Sequence, residues 1–104
     1  MTTLSIVISV HNEEERLDHC LSHLGFGDEL VVQLDKCTDR SREIAAKYTD
    51  RLIDGNWAIE GDRRNAGIDA CTGDWILEVD ADETVSPELA AEIRRTIETS
   101  SHDW

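Results

Sequence analysis

Short apolar runs alternate with amphipathic segments along the chain, and this pattern predicts four strands and four helices. The strand-like runs are rich in β-branched residues and end at polar residues; they cover residues 4–10, 29–34, 51–54 and 75–79. Apolar residues at helical spacing follow each run, at about residues 13–24, 39–48, 62–71 and 87–97. Regular alternation of strands and helices is typical of a parallel sheet. The predicted fold class is therefore α/β, with a mostly parallel sheet and helices on both faces.

Capping residues predict where several of these helices begin and end. Asn12 is predicted to cap the first helix, and Ser86 is predicted to cap the last, with Pro87 in its first turn. Gly73 is predicted to end the third helix in the left-handed conformation that glycine adopts easily. The run at residues 75–79 is apolar enough to predict a buried strand. The buried face of the last helix is predicted to consist of Leu89, Ile93 and Ile97.

Composition narrows the class of protein. The 104 residues are enough for one small domain, covering residues 1–104, and 39% of them are hydrophobic. The net charge of −13 argues against nucleic acid as a partner, because nucleic-acid binding needs a surface of Lys and Arg. The three cysteines are widely spaced, which favours reduced thiols and a cytoplasmic protein. The opening Met1-Thr2-Thr3 runs directly into a strand, so no signal peptide is expected, and no apolar run is long enough to span a membrane.

Polar clusters follow three of the four predicted strands. They are His11-Asn12-Glu13-Glu14 after the first strand, Asp35-Lys36-Cys37-Thr38-Asp39 after the second, and Asp80-Ala81-Asp82 after the fourth. In parallel sheets, ligands bind at the carboxyl ends of the strands, where the connecting loops meet. The three clusters are therefore predicted to share one edge of the sheet and to form the functional site.

Asp80 and Asp82 suggest a metal site at that edge. In an extended backbone they leave on the same side, roughly 6–7 Å apart. Two carboxylates at a strand end repel each other unless a counter-charge is present, and hard oxygen ligands suit Mg²⁺ or Mn²⁺. The alternative is a solvated acidic turn before the Ser86 cap. The residues alone leave both interpretations open.

Longer stretches carry a resemblance to a known family. The segments LSIVISVHNEEERLDHCLSHL, DELVVQLDKCTDRSREIAAKY and RRNAGIDACTGDWILEVDADE occur in the order and spacing seen in family 2 glycosyltransferases. The resemblance runs from Leu4 to about Ile97. It is closest to the branch of lipopolysaccharide core biosynthesis, in which a strand, Asp-Ala-Asp-Glu and Ser-Pro-Glu-Leu follow one another. The resemblance implies a Rossmann-like GT-A fold, of which this chain is the N-terminal, nucleotide-binding half.

The resemblance also implies roles for individual residues. Asp35 would hold the uracil or other base, and Asp82 would be the direct ligand of a Mg²⁺ or Mn²⁺ ion that bridges the diphosphate, with Asp80 beside it. The other implied substrate-binding residues are Val10, His11, Glu14, Arg64 and Asn65, and Asp80 is counted with them. The sequence departs from the family where the second strand ends. The usual Asp-Asp-Gly-Ser is replaced by Leu34-Asp35-Lys36-Cys37, which leaves the base preference open.

The implied activity is transfer of a sugar from a nucleotide-diphospho-sugar, with a UDP-sugar favoured, to a glycan or lipid-linked acceptor. The resemblance implies peripheral association of the full enzyme with the inner face of the membrane. The family's domain is roughly twice as long, and its other half carries the acceptor site and the catalytic base. We therefore expect no catalytic base in this chain. A sheet without that covering half would leave an edge and apolar surface open, so a homo-oligomer is expected.

The sequence leaves two alternatives to a sugar-transferring enzyme. One is a sugar-nucleotide-binding module without catalysis, since no catalytic base is recognised. The other is a fragment related to haloacid-dehalogenase phosphatases, in which an Asp-x-Asp-x-Thr motif, here Asp80 to Thr84, supplies the nucleophile and the general acid. Those enzymes place the motif at their first strand, whereas here it follows the fourth.

Overall fold

Four strands and four helices alternate along the chain, as the sequence predicts. The computed structural model describes residues 3–55, 60–81 and 83–99, with only the backbone described for Glu60, Gly61, Arg63 and Arg64. The elements are β1 (Leu4–Val10), α1 (Glu14–Ser22), β2 (Glu29–Asp35), α2 (Ser41–Ala45), β3 (Leu52–Gly55), α3 (Glu60–Asp69), β4 (Trp75–Asp80) and α4 (Pro87–Thr99). Their bounds lie within a few residues of the predicted ones; α1 and α2 are shorter than predicted, and the difference is larger for α2.

The sheet is parallel, and its strands lie in the order β3-β2-β1-β4. β1 pairs with β2 on one side and with β4 on the other, and β2 pairs with β3. The chain therefore builds outward from β1 in one direction, through β2 and β3, and then crosses back to place β4 on the other side of β1. This arrangement confirms the predicted α/β class with a parallel sheet.

The two faces of the sheet differ in chemistry. On one face, Leu4, Ile6, Ile8 and Val10 of β1 pack in a single apolar core with side chains of α1, α2 and α4. The opposite face is covered by α3, which contacts β1 and β2. Helices therefore lie on both faces, as predicted, but the main apolar core lies on one of them.

Gly67 sets how closely α3 approaches the sheet. A Cβ atom built on Gly67 would lie 2.8 Å from Oε1 of Gln33 and 3.1 Å from Cγ2 of Val7. Both distances are shorter than ordinary contacts, so the helix packs against β1 and β2 only because this position has no side chain. Gly67 thereby fixes the position of the first turns of α3, which contain Arg64 and Asn65.

The prediction for Gly73 is wrong. No glycine among the described residues has a positive φ, so Gly73 does not adopt the left-handed conformation. A residue without a side chain is needed here for a different reason. A Cβ on Gly73 would lie 2.6 Å from Oγ of Ser5 and 2.8 Å from the Ser5 backbone nitrogen. The Gly73 N–H also donates a hydrogen bond to Oγ of Ser5, at 2.8 Å. Close approach to β1, not backbone conformation, requires glycine here.

The predicted burial of β4 and α4 is only partly correct. In β4, Val79 is buried, but Ile76 is 39% exposed. In α4, Ile97 is buried and Ile93 is partly buried, but Leu89 is 46% exposed. The register places Ile76 beside Ser5, on the face of the sheet that α3 covers. The main contacts of α3 are with β1 and β2, so the edge strand β4 is less covered on that face. Apolar periodicity identified these elements correctly but could not show that one face of each is left uncovered.

Candidate active site

The sheet order defines where a ligand can bind. Strand order reverses between β1 and β4, and in open α/β sheets the crevice at such a reversal, beyond the carboxyl ends of the strands, is the usual ligand site. The strand register pairs Ser9 with Asp80 and Val10 with Leu34, so the carboxyl ends of β1, β2 and β4 are level with one another. The structure therefore brings Val10, Asp35 and Asp80 to one edge, as the sequence predicts.

A clamp joins the loops that follow β1 and β2. Nδ1 of His11 lies 2.8 Å from the backbone oxygen of Asp35. Because a carbonyl oxygen can only accept, this hydrogen bond requires a proton on Nδ1. Oδ1 of Asn12 accepts hydrogen bonds from the N–H groups of Thr38 (2.8 Å) and Asp39 (3.2 Å). The first two residues after β1 are thus held against the loop after β2.

Asn12 is therefore not the cap of α1, and that prediction is wrong. Its φ is 50°, in the left-handed region that asparagine tolerates better than most residues, and its side chain faces the neighbouring loop. The first N–H groups around the start of α1 are satisfied from the α2 side instead: Glu13 N–H donates to Oγ of Ser41, and Glu14 N–H donates to Oδ2 of Asp39. The cap of α1 is tertiary, not local.

Asp39 joins the starts of both helices. Its Oδ1 accepts the N–H of Ser41 at 2.9 Å, while its Oδ2 accepts the N–H of Glu14 at 3.1 Å. Partial burial acts to raise the pKa of the Asp39 carboxyl, but the hydrogen bonds from Ser41 and Glu14 outweigh burial and hold its pKa below the ordinary value. Asp39 is therefore ionised at neutral pH and stabilises the loops around the site. Glu14 itself contributes its backbone N–H to this arrangement, as the donor to Oδ2 of Asp39.

The end of β4 forms a tight reciprocal turn. The N–H of Asp80 donates to Oε1 of Glu83 at 2.9 Å, and the N–H of Glu83 donates back to the oxygen of Asp80 at 3.0 Å. Sγ of the buried Cys20 donates to the same Asp80 oxygen, at 3.7 Å. The backbone of Asp80 is thereby fixed while its side chain is exposed. Asp82 lies inside this turn in sequence, but it is outside the described residues.

A polar row crosses the sheet directly below this edge. The register places Gln33, Ser9 and Asp80 side by side on β2, β1 and β4, on the face covered by α3. Oγ of Ser9 lies 3.3 Å from Oε1 of Gln33 and donates to it. Ser9 and Gln33 were not among the site residues predicted from the sequence. The signal that could have found them is the polar residue at every second position near the ends of both strands, which marks one face of a sheet.

The part of α3 that carries Arg64 and Asn65 lies on this same polar face. Asn65 is exposed, and the side chain of Arg64 is outside what the structure describes. Gly67, three residues after Arg64, contacts Gln33 and Val7. The predicted arginine and asparagine are therefore on the helix that covers the row of Gln33, Ser9 and Asp80. That Arg64 approaches the nucleotide stays a prediction.

The donor set at this edge fits a hard divalent cation of the Mg²⁺ class. Among the described residues, no group of three or more His, Cys, Asp or Glu side chains could hold a metal by itself. Mg²⁺ is usually held by one or two carboxylates together with substrate phosphates and water, so a complete protein cage is not expected. The exposed Asp80 at the switch point could supply one such carboxylate, and Asp82, the other predicted ligand, lies outside the described residues.

A cavity lined by described residues lies at the opposite edge of the sheet. It has a volume of about 640 Å³ and is lined by residues at the amino ends of the strands, including Ser5, Glu29 and Arg51. The Glu29 carboxylate accepts hydrogen bonds there from Ser5, Thr72 and Arg51. These contacts connect the starts of β1, β2 and β4, so we interpret this cavity as a structural crevice. A smaller cavity of about 290 Å³ lies beside the Asp80 turn, between α1 and the residues Ala81, Glu83 and Thr84.

An open parallel sheet with polar loops gathered at its switch point defines the chain as an α/β protein of the class that binds ligands beyond the carboxyl ends of its strands. The comparison of sequences makes the class more specific. Residues 5–103 match the family described as Glycosyl transferase family 2. The chain belongs to this family, and its fold is the nucleotide-binding part of the GT-A fold. The phosphatase alternative is excluded by this match.

Two relatives illustrate the similarity. A TPR repeat-containing protein of Synechococcus elongatus is 36% identical over 100 residues, which cover 94% of this chain and 25% of the relative. An uncharacterised glycosyltransferase of Rickettsia typhi is 29% identical over 104 residues, which cover 99% of this chain and 36% of the relative. The chain thus spans between a quarter and just over a third of the length of these relatives.

Solved structures show the same fold. TarS of Staphylococcus aureus, in a complex with UDP, has a TM-score of 0.75 at 24% identity, covering 92% of this chain and 32% of that one. Glucosyl-3-phosphoglycerate synthase of Mycobacterium tuberculosis, in a complex with Mn²⁺, UDP and glucosyl-3-phosphoglycerate, has a TM-score of 0.68 at 20% identity, covering 80% of this chain and 36% of that one. At these identities the likeness concerns the fold.

Proposed function

We propose that residues 1–104 form the nucleotide-sugar-binding domain of a glycosyltransferase that transfers a sugar from a UDP-sugar to a glycan or lipid-linked acceptor. The observation that carries the proposal is the meeting of Val10, Asp35 and Asp80 at the switch point of a family 2 sheet. UDP is supported by its presence in the solved complexes of TarS and glucosyl-3-phosphoglycerate synthase. Mg²⁺ or Mn²⁺ is supported because the synthase was solved with each of them.

Each polar loop contributes one part of the proposed site. The turn at Val10 and His11 lines the nucleotide pocket, and the Asp35 carboxylate accepts a hydrogen bond from an N–H of the base. Asp80 and Asp82 hold the cation next to the diphosphate. When bound, the cation supplies Lewis-acid stabilisation of the leaving diphosphate.

Arg64, with Asn65 beside it, approaches the nucleotide from α3. A guanidinium there offsets negative charge, which matters in a chain whose net charge is −13. Glu14, at the start of α1, stands beside the turn at Val10 and His11. The proposed site takes its binding groups from the ends of β1, β2 and β4 and from α3. It therefore depends on the packing that brings these elements together.

The proposal for the acceptor rests on the resemblance of the sequence to the lipopolysaccharide branch of the family. We propose a role in lipopolysaccharide core biosynthesis, at the cytoplasmic face of the membrane. None of the helices in the described ranges is long and apolar enough to cross a bilayer. The exposed Ile76 and the open edge of strand β4 in the described sheet support self-association of the chain.

The proposed function is tested by binding and turnover measured side by side. We expect calorimetry to show UDP binding that requires Mn²⁺ or Mg²⁺. With a UDP-sugar and glycan acceptors, we expect this chain by itself to give slow hydrolysis and no transfer, because deprotonation of an acceptor hydroxyl needs a general base that its motifs do not supply. Binding without any hydrolysis would favour the non-catalytic module. The absence of UDP binding at every metal concentration would contradict the proposal.

A second test concerns the base. Asp35→Ala is expected to weaken UDP binding several-fold while the dependence on Mn²⁺ stays intact, because Asp35 follows β2 and the metal acids follow β4. Asp35→Asn, which keeps an acceptor oxygen, should weaken binding less. Asp50→Ala is the matched control, since Asp50 lines the cavity at the opposite edge of the sheet. Loss of metal dependence in Asp35→Ala, with unchanged nucleotide affinity, would show that the two roles are assigned to the wrong residues.

A further inference from the structure

Lys36 occupies a backbone position that disfavours it. It is the first residue after β2, and its φ is 54°. Its N–H donates to the oxygen of Gly55 at 3.0 Å, so the position is held by the ladder to β3. The left-handed region is adopted readily by glycine and rarely by residues with long side chains. In the family pattern Asp-Asp-Gly-Ser, glycine stands where this sequence has Lys36, so the lysine is kept despite backbone strain. Strain of this kind concentrates at functional sites.

The surroundings of Lys36 are acidic, yet its side chain forms no ion pair with a described residue. The side chain is exposed. The neighbouring arginines are each paired: Arg42 with Asp54, Arg40 with Glu43, and Arg16 with Glu13.

The effect of the nearby carboxylates is visible at the next residue. Burial, together with the charges of Asp39, Asp35 and Asp54, raises the pKa of the Cys37 thiol. Lys36 therefore lies in a region of negative charge, but none of the described carboxylates forms an ion pair with its ammonium group. This leaves its ammonium group available to a ligand.

The position of Lys36 in the sheet decides which part of a nucleotide it can meet. Strand β1 lies between β2 and β4, so the ends of β2 and β4 are roughly 10 Å apart at the usual strand spacing. If the diphosphate is held at Asp80 on β4, a residue at the end of β2 is placed to contact the base, which is the part of the nucleotide farthest from the diphosphate. Lys36 follows Asp35 directly in sequence, and Asp35 is the residue proposed to hold the base.

We propose that Lys36 determines which base the site accepts, by donating a hydrogen bond to the carbonyl oxygen O4 of the base, beside the ring N–H from which Asp35 accepts. This inference rests on the proposed nucleotide-binding function. Uracil presents a ring N–H flanked by carbonyl oxygens, which matches an acceptor beside a donor. Cytosine in the same pose presents a ring nitrogen acceptor to Asp35 and an amino group to Lys36, so both contacts are mismatched. The pair thereby selects UDP over CDP.

The test compares the affinities of UDP and CDP in Mn²⁺ buffer, by calorimetry, for the wild type, Lys36→Met and Lys36→Gly. Lys47→Met is the matched control, because Lys47 is the other lysine of the chain and is exposed after the end of α2. We expect the wild type to prefer UDP at least tenfold. Lys36→Met and Lys36→Gly should weaken UDP at least fivefold and change CDP less than twofold. Lys47→Met should bind both nucleotides as the wild type does.

Thermal melting separates recognition from a structural role. Lys36→Gly relieves the strained backbone, so its melting temperature should equal or exceed that of the wild type while its UDP affinity falls. A fall of UDP and CDP affinity by the same factor in Lys36→Met would overturn the proposal, because general charge attraction would then suffice. Wild-type affinity for UDP in the Lys36 variants would overturn it as well and leave the proposed function standing. A wild-type chain that binds neither nucleotide would overturn both.

Discussion

Replacing Asp82 with alanine, or removing divalent metal with EDTA, is expected to weaken UDP binding at least tenfold, or about 1.4 kcal/mol. The reason is electrostatic. A chain with a net charge of −13 repels a diphosphate, and the exposed Asp80 at the switch point adds to that repulsion unless a cation lies between carboxylate and phosphate. Asp82→Ala removes the proposed direct ligand. Calorimetric titration of UDP with and without Mn²⁺ measures the effect for each variant.

The control for Asp82 is Asp69→Ala, which removes the same charge from an exposed position at the end of α3. It should leave both affinity and metal dependence unchanged. Asp82→Asn distinguishes charge from size, and we expect it to lose most of the metal dependence. If UDP binds equally well with Mn²⁺ and with EDTA, the metal has no part in nucleotide binding, and the acidic turn at the end of β4 is only a solvated loop.

Gly67→Leu is expected to lower the free energy of unfolding by about 1–3 kcal/mol, because overpacking a close contact forces the helix away from the sheet. The Cβ alone would approach Oε1 of Gln33 to 2.8 Å. The direction of the effect is informative, since leucine is the better helix former by roughly 1 kcal/mol and would stabilise an isolated helix. For a domain of this size, each kcal/mol lowers the melting temperature by about 4–8 °C.

The same substitution should also weaken UDP binding, because α3 carries Arg64 and Asn65. Asp69→Leu is the matched control, because it places leucine at an exposed position of the same helix. It should neither destabilise the fold nor change the affinity for UDP. A Gly67→Leu variant that melts at the wild-type temperature would show that α3 does not pack closely on β1 and β2. A variant that is destabilised but binds UDP normally would remove α3 from the site.

The identity and order of the elements were predictable because they depend on local patterns. β-Branched runs identified the four strands, and the strict alternation with helices predicted a parallel sheet. That Val10, Asp35 and Asp80 share an edge also followed, since every strand of a parallel sheet ends at the same side. The errors concerned residues whose role comes from distant contacts. Asn12 resembles a helix cap in sequence but bonds to Thr38 and Asp39, and Gly73 is small because of Ser5.

The sequence by itself determined the secondary structure, the fold class, the family and the acidic edge, since each follows from residue type and spacing along the chain. Only the tertiary structure decided that β4 lies next to β1, that Gln33, Ser9 and Asp80 form one row, and that Lys36 has left-handed backbone. The hydrogen bonds of the clamp and the one between Ser9 and Gln33 join residues 24 to 27 positions apart, and the pairing of Ser9 with Asp80 joins residues farther apart still. Local periodicity carries no information about such pairs, because strand order and register are set by the packing of the whole sheet.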